Sequence, residues 1–247
     1  MTIEILCKII IWFMVYSIIG WMYETLICSV SAKKFLNRGF LNGPYCPIYG
    51  FGAIFDILIL GKIKNIFLLF IMGVIITCSL EYLTSYIMEK LFHARWWDYS
   101  ERKFNINGRV CLLGAIVFGI FSVILIKIIH PTIMYFTDML PKGTLYFATA
   151  LFTGIFIFDI IVTISGFSNF NKKLVSFSKT IEEKKTELSN KIHTTSAHNI
   201  MNSIYENYVN KMNNQQSRMI KAFPKLHSTT CDNLLMEIKK VIHKKKQ

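Results

Sequence analysis

Thr77, Glu81, Ser85 and Glu89 recur every fourth residue in a run that is otherwise mainly Ile, Leu, Phe and Met, so a helix would carry them on one face. Carboxylates in that setting can carry protons, serve as a general base or help to bind a substrate. Arg38 and Arg109 stand at the edges of other apolar runs, where a guanidinium can neutralise a glutamate or hold an anionic headgroup. The same four-residue spacing joins Gly20 to Glu24, Gly52 to Asp56 and Asp159 to Thr163. Asn37, Asp98 and Asn105 lie in the polar segments beside these runs.

The elements that position these groups belong to a membrane protein. Of 247 residues, 53% are hydrophobic and 17% charged, and the mean hydropathy of +0.41 is well above that of water-soluble domains. The net charge of +13 is unevenly spread: 15 of the 28 Lys and Arg follow position 167, with 6 of the 15 acidic residues, which leaves +9 in the tail and +4 in the membrane part. That distribution does not form a nucleic-acid-binding face, and nucleic acid is not an expected partner. Cys7, Cys28, Cys46, Cys78, Cys111 and Cys231 show no C-x-x-C spacing and fall mostly in or beside apolar runs, so reduced thiols are expected. Val30-Ser31-Ala32 would suit signal peptidase. However, Glu4 and Lys8 leave the preceding region without net positive charge and Glu24 interrupts the apolar segment, so a retained span is expected.

A helix that crosses the hydrocarbon core needs ~20 apolar residues, because every backbone polar group must be satisfied within it. About five such helices are predicted, over 3–29, 46–61, 65–90, 109–129 and 144–167, in an all-α polytopic bundle (1–167) followed by a basic helical tail (168–247). The second is short and is a candidate for a tilted, broken or re-entrant segment. Lys33, Lys34 and Arg38, then Arg95, Arg102, Lys103 and Arg109, then the tail fall on one side of a five-span chain, against Lys62, Lys64 and Lys142 on the other. The asymmetry predicts a plasma-membrane protein with its N-terminus outside and its tail cytoplasmic.

In that orientation Glu24, Glu81, Glu89 and Asp159 lie in the cytoplasmic half with Asn37, Arg38 and Arg109, whereas Asp56 lies towards the outer half. A carboxylate near the membrane centre costs ~2.5 to 3.5 kcal/mol on insertion scales, so these groups should face the bundle interior, water or a cationic partner. Two readings follow: a polar chamber open to the cytoplasm, or buried ion pairs that set helix packing. The loop HARWWDYSERKFNINGR (93–109) places Trp96, Trp97 and Tyr99 among basic residues, which suits a short interfacial helix. Asp98, Asn105 and Asn107 exceed what an anchor needs and could close the chamber. In NRGFLNGPYCPIYGFGA (37–53), Gly39, Gly43, Gly50 and Gly52 allow close approach or positive φ, while Pro44 and Pro47 prevent a regular helix around Cys46. Irregular backbone at membrane depth survives when buried or lining a cavity, so this stretch is expected to line the chamber.

Gly20-Trp21 with Glu24, the 37–53 stretch, Glu81 with Glu89, HARWWDYS and FNINGRVCL together resemble the ABC-transporter type IV permeases, also called CmpB-like, over roughly residues 15–120. The resemblance implies a multi-span permease but names no substrate and supplies no catalytic residues. No G-x-x-x-x-G-K-[ST] run occurs, so a nucleotide-hydrolysing subunit would be a separate chain, met by the 91–108 loop or the tail.

In the tail, Leu174, Phe177, Ile181, Leu188 and Ile192, then Met201, Tyr205, Tyr208 and Met212, are spaced for two or three amphipathic helices that form a bundle, self-associate or lie on anionic lipid, with Phe223-Pro224 as a break. His193, His198, His227 and Cys231 have no standard zinc spacing, so neither metal nor another cofactor is expected. Three functions suit these residues. One is transport, with a substrate site drawn from Glu24, Asn37, Arg38, Glu81, Glu89, Asp98, Asn105 and Arg109. The second is an enzyme acting on lipid or peptide, with Glu81 as base. The third is a noncatalytic scaffold. Transport is adopted, with the lipid bilayer, a separate ATPase subunit and further copies of the chain as candidate partners.

Overall fold

A computed structural model describes residues 2–189 and 194–244. The chain is predominantly helical. The helices are α1 (Ile3–Ala32), α2 (Pro47–Leu60), α3 (Ile66–Phe92), α4 (Leu112–Ile124), α5 (His130–Asp138), α6 (Lys142–Phe167), α7 (Phe170–Ser189), α8 (Thr194–Lys211), α9 (Asn214–Ala222) and α10 (Asp232–Lys244). Four two-residue strands, β1 (Ala94–Arg95), β2 (Asn105–Ile106), β3 (Val110–Cys111) and β4 (His227–Ser228), form the antiparallel pairs β1–β4 and β2–β3. Met1–Tyr86 with Asp98–Val162 make one compact unit, and Ile87–Trp97 with Thr163–Gln247 make a second.

Among the described residues, four helical stretches are long and apolar enough to cross a bilayer: Ile3–Ala32, Ile66–Phe92, Leu112–Asp138 and Lys142–Glu187. The chain is thus a multi-pass membrane protein, and its broad lipid-facing apolar surface is what such a solvent requires. The fifth expected span, α2, has 14 residues, about 21 Å of rise against a hydrocarbon core of ~30 Å. The fourth runs beyond its expected end at 129. A π-helical turn at Leu125–Ile129 carries the helix into α5, and Pro131, which has no N–H to give to the preceding turn, follows directly on that local change of helical geometry.

In the first unit, α1 and α2 approach closely. A Cβ on Gly20 would lie 2.2 Å from Tyr49 Cγ, and one on Gly50 would lie 2.3 Å from Ser17 Oγ, so only glycine permits the contact. Gly39, Gly43, Gly50 and Gly52 all keep ordinary φ, so positive φ is not their use, and close approach applies to Gly39, Gly43 and Gly50 but not to Gly52, where a Cβ would sit 3.6 Å from Leu80. The irregular backbone before α2 is satisfied internally: Cys46 N–H donates to Ser17 O at 2.8 Å, and Pro47 opens the helix. Met14, Leu41 and Tyr45 pack beneath Phe152, Phe156 and Ile160 of α6.

The 93–109 segment is not an interfacial helix. His93, Phe104 and Asn107 adopt positive φ, as does Gly108, and the β2–β3 hairpin with its turns replaces helical geometry. Trp96 is not a lipid anchor either: it is 2% exposed and packs on Phe92, Phe167 and Phe223 inside the second unit. There β1 pairs with β4 of the tail, Ala94 opposite Ser228 and Arg95 opposite His227.

The described tail holds four helices rather than two or three. Leu174, Ile181, Met219, Ile220, Leu226, Leu235 and Ile238 are buried, and the Phe177 and Tyr208 rings stack at 3.9 Å. The helix missed is α10, whose Leu234, Leu235, Ile238 and Ile242 recur at helical spacing. Ile192 and His193 lie outside the described residues, as do the side chains of Leu188 and His198.

Candidate functional site

Asp56 of α2 and Glu81 of α3 line one cavity of about 300 Å³ in the first unit. They are 2% and 6% exposed, and Oδ1 of Asp56 and Oε2 of Glu81 have no hydrogen-bond partner. Around them the wall is mostly apolar and aromatic, with Tyr16, Tyr23, Tyr49, Phe118 and Phe121 contributing rings. This differs from the polar chamber expected. The irregular 37–46 stretch does not line it, because α2 has already begun where the chain reaches the wall at Ile48, Tyr49, Gly52 and Ala53.

Most hydroxyl protons around the cavity are committed. Thr77 Oγ1 donates to Gly73 O at 2.7 Å and Ser122 Oγ to Phe118 O at 3.0 Å, each one turn back on its own helix. Tyr49 Oη donates to Glu24 Oε1 at 2.7 Å, and Tyr16 Oη is bonded to His130 Nδ1 at 2.9 Å. Among the described residues only Tyr99 reaches Glu81, donating to Oε1 at 3.4 Å. Burial, and then Glu81, push the Tyr99 phenol above its usual range, so it stays a proton donor. Tyr99 is itself held by the loop, its N–H donating to Gly108 O at 2.8 Å.

The other expected site residues sit around this centre in distinct roles. Glu24 accepts from Tyr49 and lies 3.7 Å from Arg38 Nε. Asn37 accepts from Trp21 Nε1 at 2.8 Å and Gly39 N–H at 3.1 Å, which folds the α1–α2 connection onto α1. Arg109, 6% exposed, donates to Ser85 Oγ at 3.0 Å and lies 5.5 Å from the Tyr82 and Tyr86 ring centroids. It therefore faces the polar stripe of α3 one turn beyond Glu81. Asp98 accepts from Ser100 N–H at 3.0 Å, while Asn105 donates to Arg102 O at 2.8 Å and accepts from Gly108 N–H at 2.9 Å, so both shape the loop that carries Tyr99. Glu89 belongs to the second unit, where Arg95 Nε donates to it at 3.0 Å.

Asp159 differs in kind. Its two oxygens accept from Asn42 N–H, Asn42 Nδ2, Gly43 N–H and Tyr45 Oη at 2.6 to 3.1 Å, so α6 clasps the irregular connection. Burial, reinforced by Asp159, raises the Tyr45 phenol and keeps it a donor. Asp56 is the site residue that sequence reasoning set apart by its depth. Its four-residue spacing from Gly52 was the available signal, and only packing shows that it shares a cavity with Glu81.

All six cysteines are free thiols. No His, Cys, Asp and Glu cluster suited to a metal occurs among the described residues, and His227 instead lies 3.1 Å from Asp232.

No curated protein and no solved structure matches this chain. The resemblance read over 15–120 extends further, from within α1 into α6: residues 11–164 match the family described as "Putative ABC-transporter type IV", and the chain belongs to that family.

Proposed function

We propose that this chain is the membrane-embedded permease of a transporter whose ATP hydrolysis comes from a separate subunit, and that the Asp56–Glu81 cavity is its substrate site. The observation that carries the reading is the pair of buried carboxylates, each with one oxygen that has no hydrogen-bond partner, among the residues lining a cavity of ligand size in a member of this family. An unsatisfied buried polar atom is costly, and a bound substrate that completes its hydrogen bonds removes that cost. Glu81 contacts the substrate. Glu24, Asn37, Arg38 and Arg109 hold the helices and connections that form the walls. Asp98 and Asn105 set the loop that delivers Tyr99.

The chain sits in the plasma membrane with its N-terminus outside and its tail cytoplasmic, an orientation that follows from the Lys and Arg asymmetry of its loops and requires α2 to complete a fifth crossing beside the four longer helices. The ATPase docks on the cytoplasmic surface that includes Glu89, Arg95 and the tail segment joined to them through β1 and β4. Purification in mild detergent tests this reading. It expects a co-purifying ATPase whose hydrolysis rate changes when Glu81→Gln is introduced. Repeated recovery of the folded, functional chain without any ATPase would overturn it.

A further inference from the structure

We propose that the cavity selects a lipophilic organic cation, a diffuse positive centre carried on an apolar body. The inference rests on the cavity being a ligand site and adds the class of ligand that enters it. Three features combine. Two carboxylates, each with one oxygen that has no hydrogen-bond partner, belong to the wall, and among the described residues no Lys, Arg or His lines it. Thr77 and Tyr49 spend their protons elsewhere, which leaves the Ser122 and Tyr23 hydroxyls, with one proton each, as donors against two carboxylates, so the wall offers more acceptors than donors. An anion would meet uncompensated repulsion there, and a neutral acceptor would find little to bind.

The remaining wall separates an organic cation from a metal ion. Mg²⁺ or Ca²⁺ takes six or more oxygen ligands in a tight shell. Here Ile48, Leu80, Ile124 and Leu125 supply apolar lining rather than further oxygen ligands, and about 300 Å³ far exceeds one ion. Aromatic faces from Tyr23, Phe118 and Phe121 instead suit a diffuse positive charge through its attraction to the ring quadrupole. The apolar walls take the body of the ligand, and Asp56 and Glu81 take its charge.

The test uses the full-length chain in detergent micelles and two ions of the same shape and opposite sign, tetraphenylphosphonium and tetraphenylborate. Saturable tetraphenylphosphonium binding is expected, with tetraphenylborate excluded. Asp56→Asn and Glu81→Gln should each weaken it about tenfold or more, the loss expected when a charged partner in a water-poor site is neutralised. Glu101→Gln, which removes an exposed carboxylate, should leave the affinity unchanged. Equal binding of the two ions by the native chain overturns the proposal without any variant having to fold. Unchanged tetraphenylphosphonium affinity in the Asp56→Asn, Glu81→Gln double variant also overturns it. Cation binding with no ATPase partner would sink the permease reading alone, whereas a co-purifying ATPase with no cation binding would sink this inference alone.

Discussion

Asp159 and the Asp56–Glu81 pair are buried carboxylates in the same apolar bundle, yet their surroundings are opposite. Four donors close on Asp159, two of them backbone N–H groups of a connection more than 110 residues away in sequence. Asp56 and Glu81 instead keep one oxygen each without a partner, in the wall of a cavity. Burying a charged group costs several kcal/mol unless hydrogen bonds offset it. At Asp159 the fold itself provides the offset, so that carboxylate is architecture. At the cavity the offset is incomplete, which is a condition under which a ligand gains by binding. Satisfaction of the oxygens, rather than residue type or depth, separates the two roles.

The contrast is open to direct attack. Asp159→Ala strands several donors at once and should lower stability by about 3 kcal/mol or more, read as earlier thermal unfolding in detergent. If this variant melts with the native chain, the clasp is not holding the connection. Gly50→Ala comes next. Its methyl must fit 2.3 Å from Ser17 Oγ and 2.7 Å from Phe13 O, and overpacking of that kind costs about 1 to 3 kcal/mol. The same melting experiment, with tetraphenylphosphonium binding as a second readout, checks whether the α1–α2 contact also shapes the cavity.

Asp56→Asn and Glu81→Gln should behave in the reverse manner to Asp159→Ala. Each removes a buried charge whose hydrogen bonds were incomplete, so stability should stay within about 1 kcal/mol of native or rise, while ATP-driven transport is lost. Aggregation of both variants on extraction would make these carboxylates architectural and erase the distinction. Glu24→Gln should have the smallest effect, below about 1 kcal/mol, because Arg38 is 3.7 Å away and both side chains are partly exposed. The amide oxygen still accepts from Tyr49. A larger loss would extend the clasp from Asp159 to the other end of the same connection.

Much of the architecture was legible before any coordinates. Runs around Ile3–Ala32, Ile66–Phe92 and Lys142–Phe167 are long and apolar, and insertion of a helix is decided mainly by the transfer free energy of its own residues. The four-residue spacing of Thr77, Glu81, Ser85 and Glu89 was equally local, and so were the helix start at Pro47 and the break at Phe223-Pro224. The 93–109 segment misled because its aromatic and basic composition is that of an interfacial anchor. Composition does not register Asn and Gly taking positive φ, nor a strand whose partner is His227–Ser228.

The sequence by itself determined that acids lie in apolar helices, which face of α3 carries them and that the chain is built for a bilayer. The tertiary structure alone decided which acid is clasped, which is idle, that Asp56 and Glu81 share one cavity, and that Trp96 is interior. The physical reason is range. Helix formation and membrane partition depend on neighbours within a few turns, whereas satisfaction of a buried oxygen depends on donors brought from distant positions, as Asn42 and Tyr45 are brought to Asp159.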